Sequence, residues 1–318
     1  MTDYNFTLSF PTANKNVSAK GVIRTKDEDF FVEEIMDISL TGEGEHVWLF
    51  VEKRGENTDF IARKIAKYAD VRPMDVGLSG LKDRHAVTRQ WFSVYLGNKA
   101  EPDWQQLNDE HLQIISHERH SHKLRRGEHQ ANRFALCVRE LEGDMAELEA
   151  ALTQVKERGF PNYFGEQRFG RNGANLDKAV AMFERRFKAP KNKRGFYLSA
   201  ARSFLYNRVL AERIKNNSWL DAPTSGPLYG ELPRDHDDNH IGCSSLEQQI
   251  FEEYTVLAEG LYANRLKMEE RLLAVVPKNM TWRLESNTLE LEFLLPTGSF
   301  ATALLTEVVD YRVFERTY

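Results

Sequence analysis

The residues with the clearest chemical potential lie in the stretch GLSGLKDRHAVTRQWFSVYL, residues 77–96. Asp83 stands between Lys82 and Arg84 in a short turn after two glycines, directly before an alternating segment that is typical of a β-strand. A carboxylate nucleophile must be ionised, and adjacent cations favour the ionised form. An aspartate in such a turn also commonly caps backbone N–H groups, and a Lys-Asp-Arg triplet is commonly a solvated surface. This stretch alone leaves catalysis and a surface turn as alternatives.

A second stretch, PNYFGEQRFGRNG at residues 161–173, combines aromatic rings, Arg168, Arg171 and glycines. Aromatic faces stack on unpaired bases and arginines contact phosphates, so the pattern favours RNA binding. A glycine-allowed corner of the core with exposed arginines is the alternative. The stretch lacks the lysine and hydroxyl spacing of a mononucleotide P-loop, so ATP is not predicted as a ligand.

Basic residues accumulate in the middle of the chain. The net charge is -5, yet residues 119–215 hold 21 lysines and arginines against 11 aspartates and glutamates. This asymmetry indicates either a polyanionic partner or basic helices that complement acidic ones within the fold. We expect Lys191, Lys193 and Arg194 to lie in a loop ahead of an amphipathic helix. The predicted RNA-backbone contacts are Arg119, Lys123, Arg125, Arg126, Arg168, Arg171, Lys191, Lys193 and Arg194.

The histidines of HERHSH are candidate metal ligands. Strand alternation places His120 and His122 on one face and His117 on the other, and the sequence has neither HExxH nor CxxC. The neighbouring arginines favour a phosphate-facing surface, so we predict no metal site. A metal-dependent hydrolase that combines HERHSH with RDHDDNH, residues 234–240, is an alternative function.

The elements that must position these residues change character along the chain. The first 142 residues are rich in strand patterns and contain one clear helical pattern. Helical patterns follow near 175–187, 196–216 and 245–275. The alternation typical of a β-hairpin then returns in MTWRLESNTLELEFLLP, residues 280–296. Residues 111–129 and 132–141 read as a hairpin or two adjacent strands joined near Gly127. Because an isolated hairpin is marginal in water, the returning hairpin must join the N-terminal sheet. We predict an α+β fold: a discontinuous mixed or antiparallel sheet domain, an inserted, mainly helical domain, and a cleft between them.

Composition excludes several classes of protein. At 41% hydrophobic and 29% charged residues, the sequence is that of an ordinary globular protein. No uncharged apolar run approaches the roughly 18 residues of a membrane span, and the N-terminus lacks a secretion-signal pattern, so we expect a cytoplasmic protein. Cys137 and Cys243 are the only cysteines, which indicates neither a disulfide framework nor a cysteine-rich metal site.

Separated motifs carry a family resemblance. GLKDRHAVTRQ, NRF, PNYFGEQRFG and LPTGSFATALL occur in that order, with KDEDFFVEE before them. Together they resemble the TruD family of tRNA pseudouridine synthases over residues 20–210 and about 280–309. The resemblance implies a pseudouridine synthase catalytic domain formed by residues 1–157 and 275–318, with a TRUD domain inserted at 158–274.

The resemblance also implies an activity, the isomerisation of a specific uridine in tRNA to pseudouridine, at position 13 in the bacterial members. It implies no cofactor and no metal, and we expect a monomer without a protein partner. Lys82, Arg84 and Arg24 are expected to keep Asp83 ionised. The positions that match the family's site residues are Asp83 for the nucleophile, Phe30, Asn132 and Phe300 for substrate contacts, Phe134 beside the target base, and Arg24 where the family often has lysine.

An enzyme that acts on a paired uridine must extrude the base, at a cost of a few kcal/mol. Stacking on Phe30 and Phe300 would recover roughly 1–3 kcal/mol per base, and the Asn132 amide offers a donor and an acceptor to the uracil edge. An RNA-binding protein of the same fold without catalysis is the alternative. It would bind tRNA in a salt-sensitive manner without releasing tritium from 5-tritiated uridine.

Overall fold

A computed structural model describes residues 6–232 and 244–315. RDHDDNH and Cys243 lie outside these residues. The chain divides into two compact units, which we call the sheet unit and the helical unit. The sheet unit comprises residues 18–150, 277–298 and 309–315. The helical unit comprises residues 6–17, 151–232, 244–276 and 299–308.

The sheet unit is built on a ten-stranded sheet with a central strand order β12-β13-β7-β2-β5-β3-β6. Its strands are β1 (Lys20–Ile23), β2 (Phe30–Ile35), β3 (His46–Arg54), β4 (Val76–Leu78), β5 (Val87–Tyr95), β6 (Leu112–His120), β7 (Ala131–Glu142), β12 (Lys278–Glu285), β13 (Thr288–Pro296) and β14 (Asp310–Val313). The β1–β14 and β2–β5 pairs are parallel and the other pairs are antiparallel. The predicted α+β class with a mixed sheet is therefore confirmed.

One helix covers part of this sheet. Helix α1 (Thr58–Tyr68) places Ile61 and Ile65 one turn apart, and both are fully buried against strand residues such as Leu49 and Phe92. Burial of an isoleucine side chain contributes about 1.5–3 kcal/mol. The i, i+4 spacing read from the sequence thus fixes α1 on the sheet. The first residue of α1, Thr58, contacts the turn that carries Asp83.

The strands that flank residues 121–130 do not pair with each other. β6 pairs with β3 at one end of the sheet, whereas β7 lies between β13 and β2. The prediction that residues 111–129 and 132–141 form a hairpin or two adjacent strands is wrong, because alternation identifies a strand without identifying its partner. The returning β12–β13 hairpin does join the N-terminal sheet, through β13 and β7, as predicted.

The helical unit is centred on one long helix. Its elements are most of α2 (Met145–Arg158), β8 (Phe160–Pro161), α3 (Ala174–Phe183), α4 (Lys191–Lys215), β9 (Ser225–Leu228), α5 (Ser245–Glu253), α6 (Thr255–Ala263), β10 (Glu269–Leu272), β11 (Ala274–Val275) and α7 (Ala301–Thr306). The predicted helix over 245–275 ends at Ala263, and the strands β10 and β11 pair with β9 and β8. No helix in the described parts of the chain is long and apolar enough to cross a membrane.

The start of α4 differs from expectation. Lys191, Lys193 and Arg194 lie in the first turn of α4 rather than in a loop, because Pro190 stands at the N-cap and its carbonyl accepts the backbone N–H groups of residues 193 and 194. Residues 6–17 and 299–308 pack with the helical unit, where the buried Glu307 carboxylate accepts backbone hydrogen bonds from residues 13 and 14. The domain boundaries inferred from the family resemblance stay a prediction.

Candidate active site

The turn that carries Asp83 is held by three neighbouring elements of the sheet unit. From β3, the Lys53 ammonium donates to the Asp83 carbonyl at 2.8 Å. From the start of α1, the Thr58 hydroxyl accepts the Lys82 backbone N–H at 3.0 Å. From β5, the Gln90 amide donates to a carbonyl of the turn at 3.2 Å. The turn is therefore a fixed support for the Asp83 side chain.

Lys53 is unusual because its side chain is completely buried, at 0% exposure. Burial lowers the pKa of this ammonium to about 8, against the attraction of the Asp83 charge. Sequence reasoning missed this residue. The signal was present, because Leu49, Val51 and Lys53 share the buried face of β3, so that a lysine stands at a core position.

Arg24 connects Asp83 to the aromatic residues. Its Nη2 lies 2.5 Å from Asp83 Oδ2, and its guanidinium lies 4.2 Å from the centre of the Phe30 ring. Phe30 in turn contacts Phe134 edge to face at 6.5 Å. Arg24 has a φ of 62°, in the left-handed region that costs a non-glycine residue about 1–3 kcal/mol. Asp83 retains 33% side-chain exposure against 11% for Arg24, so the carboxylate is accessible while its partner is held.

An ion pair with a buried carboxylate fixes the segment that bears Arg24 and Phe30. Asp29 is 2% exposed and forms a bidentate pair with Arg139 of β7, with N–O distances from 2.7 to 3.0 Å. Its carboxylate also accepts the Lys26 backbone N–H at 2.9 Å. Bidentate arginine–carboxylate pairs are geometrically specific. Sequence reasoning missed this pair because its partners are far apart along the chain.

Lys82 supports the site in a different way from the one expected. Its ammonium pairs with Glu34 Oε1 at 2.6 Å, and both side chains are buried. Burial raises the pKa of Glu34, and the Lys82 charge opposes that rise. The sequence predicted that Lys82 would keep Asp83 ionised, whereas its close ion pair is with Glu34. Glu34 was missed, although it shares the buried face of β2 with Phe30 and Val32.

Asn132 and Phe134 share one face of β7, as alternation predicted, and both are 7% exposed. The Asn132 Nδ2 lies 3.3 Å from His129 Nε2, and the Ser79 hydroxyl lies 2.5 Å from His129 Nδ1. Burial and the Lys82 charge lower the pKa of His129 to about 4, so the ring is neutral at physiological pH. The Asn132 Oδ1 is buried and has no hydrogen-bond partner among the described residues. Such an atom costs about 1–3 kcal/mol, and a ligand that donates to it would remove that cost.

Phe300 belongs to the helical unit. It stands at the N-cap of α7, and its ring lies 6.2 Å from that of Phe164. Its role as a substrate contact stays a prediction.

Three of the predicted RNA contacts lie together in the sheet unit. Lys123, Arg125 and Arg126 line a groove of about 590 Å³, and Arg63 of α1, which sequence reasoning missed, lines it with them. We call this feature the basic groove. Its full lining is Asp59, Ala62, Arg63, Pro73, Val76, Gly77, Leu78, Lys123, Leu124, Arg125 and Arg126.

The other predicted RNA contacts differ in availability. Arg119 is paired with Glu101 at 2.9 Å, so its charge is already balanced. Arg168 donates to Ser199 at 2.9 Å, and burial lowers its pKa. The remaining four are exposed in the helical unit: Arg171, Lys191, Lys193 and Arg194.

The histidines of HERHSH do not form a three-ligand cluster. The His120 and His122 rings lie 4.3 Å apart and pack edge to face on Trp48. In residues 6–232 and 244–315, no group of three or more histidine, cysteine, aspartate or glutamate side chains could hold a metal ion.

Comparison with known proteins gives one consistent result. The family model for tRNA pseudouridine synthase D (TruD) matches residues 12–182. The chain is 40% identical to the tRNA pseudouridine synthase D of Methylococcus capsulatus, with 95% of this chain and 94% of that protein covered. It is 41% identical to that of Cellvibrio japonicus, with 96% and 94% covered. A solved structure of a candidate tRNA pseudouridine synthase D from Methanosarcina mazei has the same fold, with a TM-score of 0.67 at 19% identity over 94% of this chain and 95% of that one.

Proposed function

Because the chain belongs to the tRNA pseudouridine synthase D family, we propose that it isomerises a uridine of tRNA to pseudouridine. This is the family that the sequence motifs predicted. The finer assignment, position 13 of the tRNA, rests on the resemblance of those motifs.

The reaction moves the bond between ribose and uracil from one ring atom of uracil to another. The bond from ribose C1′ to N1 breaks, the ring turns, and C1′ bonds to C5; C5 loses its proton and N1 gains one. We assign the cleavage step to the Asp83 carboxylate. The observation that carries this assignment is the Arg24–Asp83 ion pair of 2.5 Å on a turn fixed by Lys53, since a positioned nucleophile gains much of its rate from orientation.

The contacts to the extruded base are proposed from the same face of the sheet. Phe30 and Phe134 offer aromatic surface beside the Arg24–Asp83 pair. The unpaired Asn132 Oδ1 is an acceptor that suits the N3–H of uracil. Phe300 is proposed as a further stacking partner on the basis of the family resemblance.

The test replaces Asp83 with asparagine, which keeps size and hydrogen-bonding capacity but removes the charge. Asp83→Asn is expected to bind tRNA with near wild-type affinity and to release no tritium from 5-tritiated uridine in tRNA. Substantial release by this variant would remove Asp83 from the catalytic role. Failure of the wild-type protein to release tritium, with tRNA binding retained, would favour the RNA-binding alternative.

We expect the protein to act in the cytoplasm as a monomer and without a protein partner. Light scattering of the purified chain with and without tRNA measures its oligomeric state. A stable dimer would contradict it.

A further inference from the structure

We propose that the basic groove binds backbone phosphates of the substrate RNA next to the target nucleotide, with Arg63 of α1 as one of its phosphate contacts. The proposal rests on the proposed function, since it takes tRNA as the partner. The groove lies between the α1 residues 59–63 and the segment 123–126 that follows β6, with β4 between them.

The charge of the groove favours a polyanion. Four cationic side chains line it against the single carboxylate of Asp59. No ion pair joins Arg63, Arg125 or Arg126 to a carboxylate within the described parts of the chain, in contrast to Arg119. Lys123 is the exception among the four cations, since its charge contributes to lowering the pKa of Asp75. Arg63, Arg125 and Arg126 are exposed. Cations without a protein counterion are the ones that exchange salt ions for phosphates.

The shape of the groove is set by close backbone packing. A Cβ at Gly77 of β4 would lie 2.4 Å from the Leu124 carbonyl oxygen and 2.4 Å from Ser93 Oγ, so glycine is required there. The Leu124 N–H donates to the same Ser93 Oγ at 2.9 Å, and the Lys123 ammonium donates to the Met74 carbonyl at 2.6 Å. The segment that bears the cations is thereby tied to the sheet.

Both walls of the groove continue into the candidate active site. Asp83 lies five positions after Leu78, which limits their Cα–Cα distance to about 18 Å. On the other wall, segment 123–126 leads to His129 and Asn132, and the Gly127 N–H donates to the Ser79 carbonyl at 2.9 Å. A strand of RNA whose base reaches Asp83 therefore has neighbouring phosphates within reach of the groove.

The experiment measures tRNA affinity against salt concentration for Arg63→Gln and for Arg63→Gln combined with Arg126→Gln. The slope of log K against log salt is negative, and each lost phosphate contact reduces its magnitude by about 0.7–0.9. We expect this decrease for the single variant and roughly twice as much for the double. Arg63→Lys keeps the charge and is expected to retain most of the slope.

The matched control is Lys278→Gln, which removes an exposed cation from β12, at the opposite end of the strand order. It is expected to leave the slope at the wild-type value. An Arg63→Gln slope equal to that of this control would overturn the groove proposal.

Tritium release by the wild-type protein is measured on the same preparations. If the wild type is active while all slopes agree, the groove proposal fails and the proposed function stands. If the arginine variants have less negative slopes as expected while the wild type releases no tritium, the groove binds RNA and the proposed function fails.

Discussion

Replacement of Lys53 by methionine separates the stability of this protein from its activity. The Lys53 side chain is fully buried, and its pKa is lowered from 10.5 to about 8. That shift corresponds to about 3 kcal/mol of folding free energy lost at neutral pH. The hydrogen bond from this ammonium to the Asp83 carbonyl returns about 1.5–3 kcal/mol. Lys53→Met keeps the buried stem and removes both terms, so its free energy of unfolding at pH 7 is expected to stay within about 2 kcal/mol of the wild type.

The pH dependence has a defined sign. Below pH 8 both the folded and unfolded states carry the proton, and the full cost of the buried charge is present. Between pH 8 and 10.5 the folded state loses its proton first, so the free energy of unfolding of the wild type rises with pH. Lys53→Met lacks this rise. Urea denaturation at several pH values measures it, and Lys20→Met, which removes an exposed lysine of β1, serves as the control.

Activity is expected to respond differently. Without Lys53 the Asp83 backbone loses its anchor on β3, and a displacement of about 1 Å in a reacting group costs on the order of 100-fold in rate. Single-turnover tritium release by Lys53→Met should therefore fall by about 10- to 100-fold. A fully active variant would refute the anchoring role. A variant that loses more than about 3 kcal/mol of stability, or that retains the alkaline rise, would refute the reasoning on the buried charge.

Two further predictions concern the Arg24–Asp83 ion pair of the sheet unit and the buried Glu307 carboxyl group of the helical unit. Arg24→Met should lower the single-turnover rate by about 10- to 100-fold, because a hydrogen bond between charged groups contributes about 1.5–3 kcal/mol. Arg24→Lys should recover part of this rate. Equal rates for both variants would contradict the proposal that the positive charge at position 24 acts on Asp83. Glu307 is buried and its pKa is raised to about 7, so its contribution to stability is present below pH 4.5 and is lost as pH rises through 7. Urea denaturation at pH 4 and pH 8 measures this loss as a difference in the free energy of unfolding. Glu307→Gln should remove the contribution of Glu307 to that difference, and the same difference in the variant and the wild type would contradict this prediction.

Local patterns in the sequence were sufficient for the elements and for the family. The alternation of residues 88–96 and the i, i+4 spacing of Ile61 and Ile65 predicted β5 and α1, because a buried face repeats with the period of the element that carries it. The returning hairpin had to join a sheet because two strands bury too little surface alone. The ordered motifs from GLKD to LPTGSFAT identified the family without knowledge of any contact.

The partners of the charged residues were decided by the tertiary structure. Arg24 reaches Asp83 across 59 positions of sequence and Arg139 reaches Asp29 across 110, and neither pair has a periodic signal. The tertiary structure also decided the strand order that separates β6 from β7. Alternation specifies which face of a strand is buried but not which strand lies next to it. Arg63 joins Lys123 only after α1 packs on the sheet. Contacts between charges depend on distance in space. The sequence therefore determines which residues are charged, and the folded structure determines which of them form ion pairs.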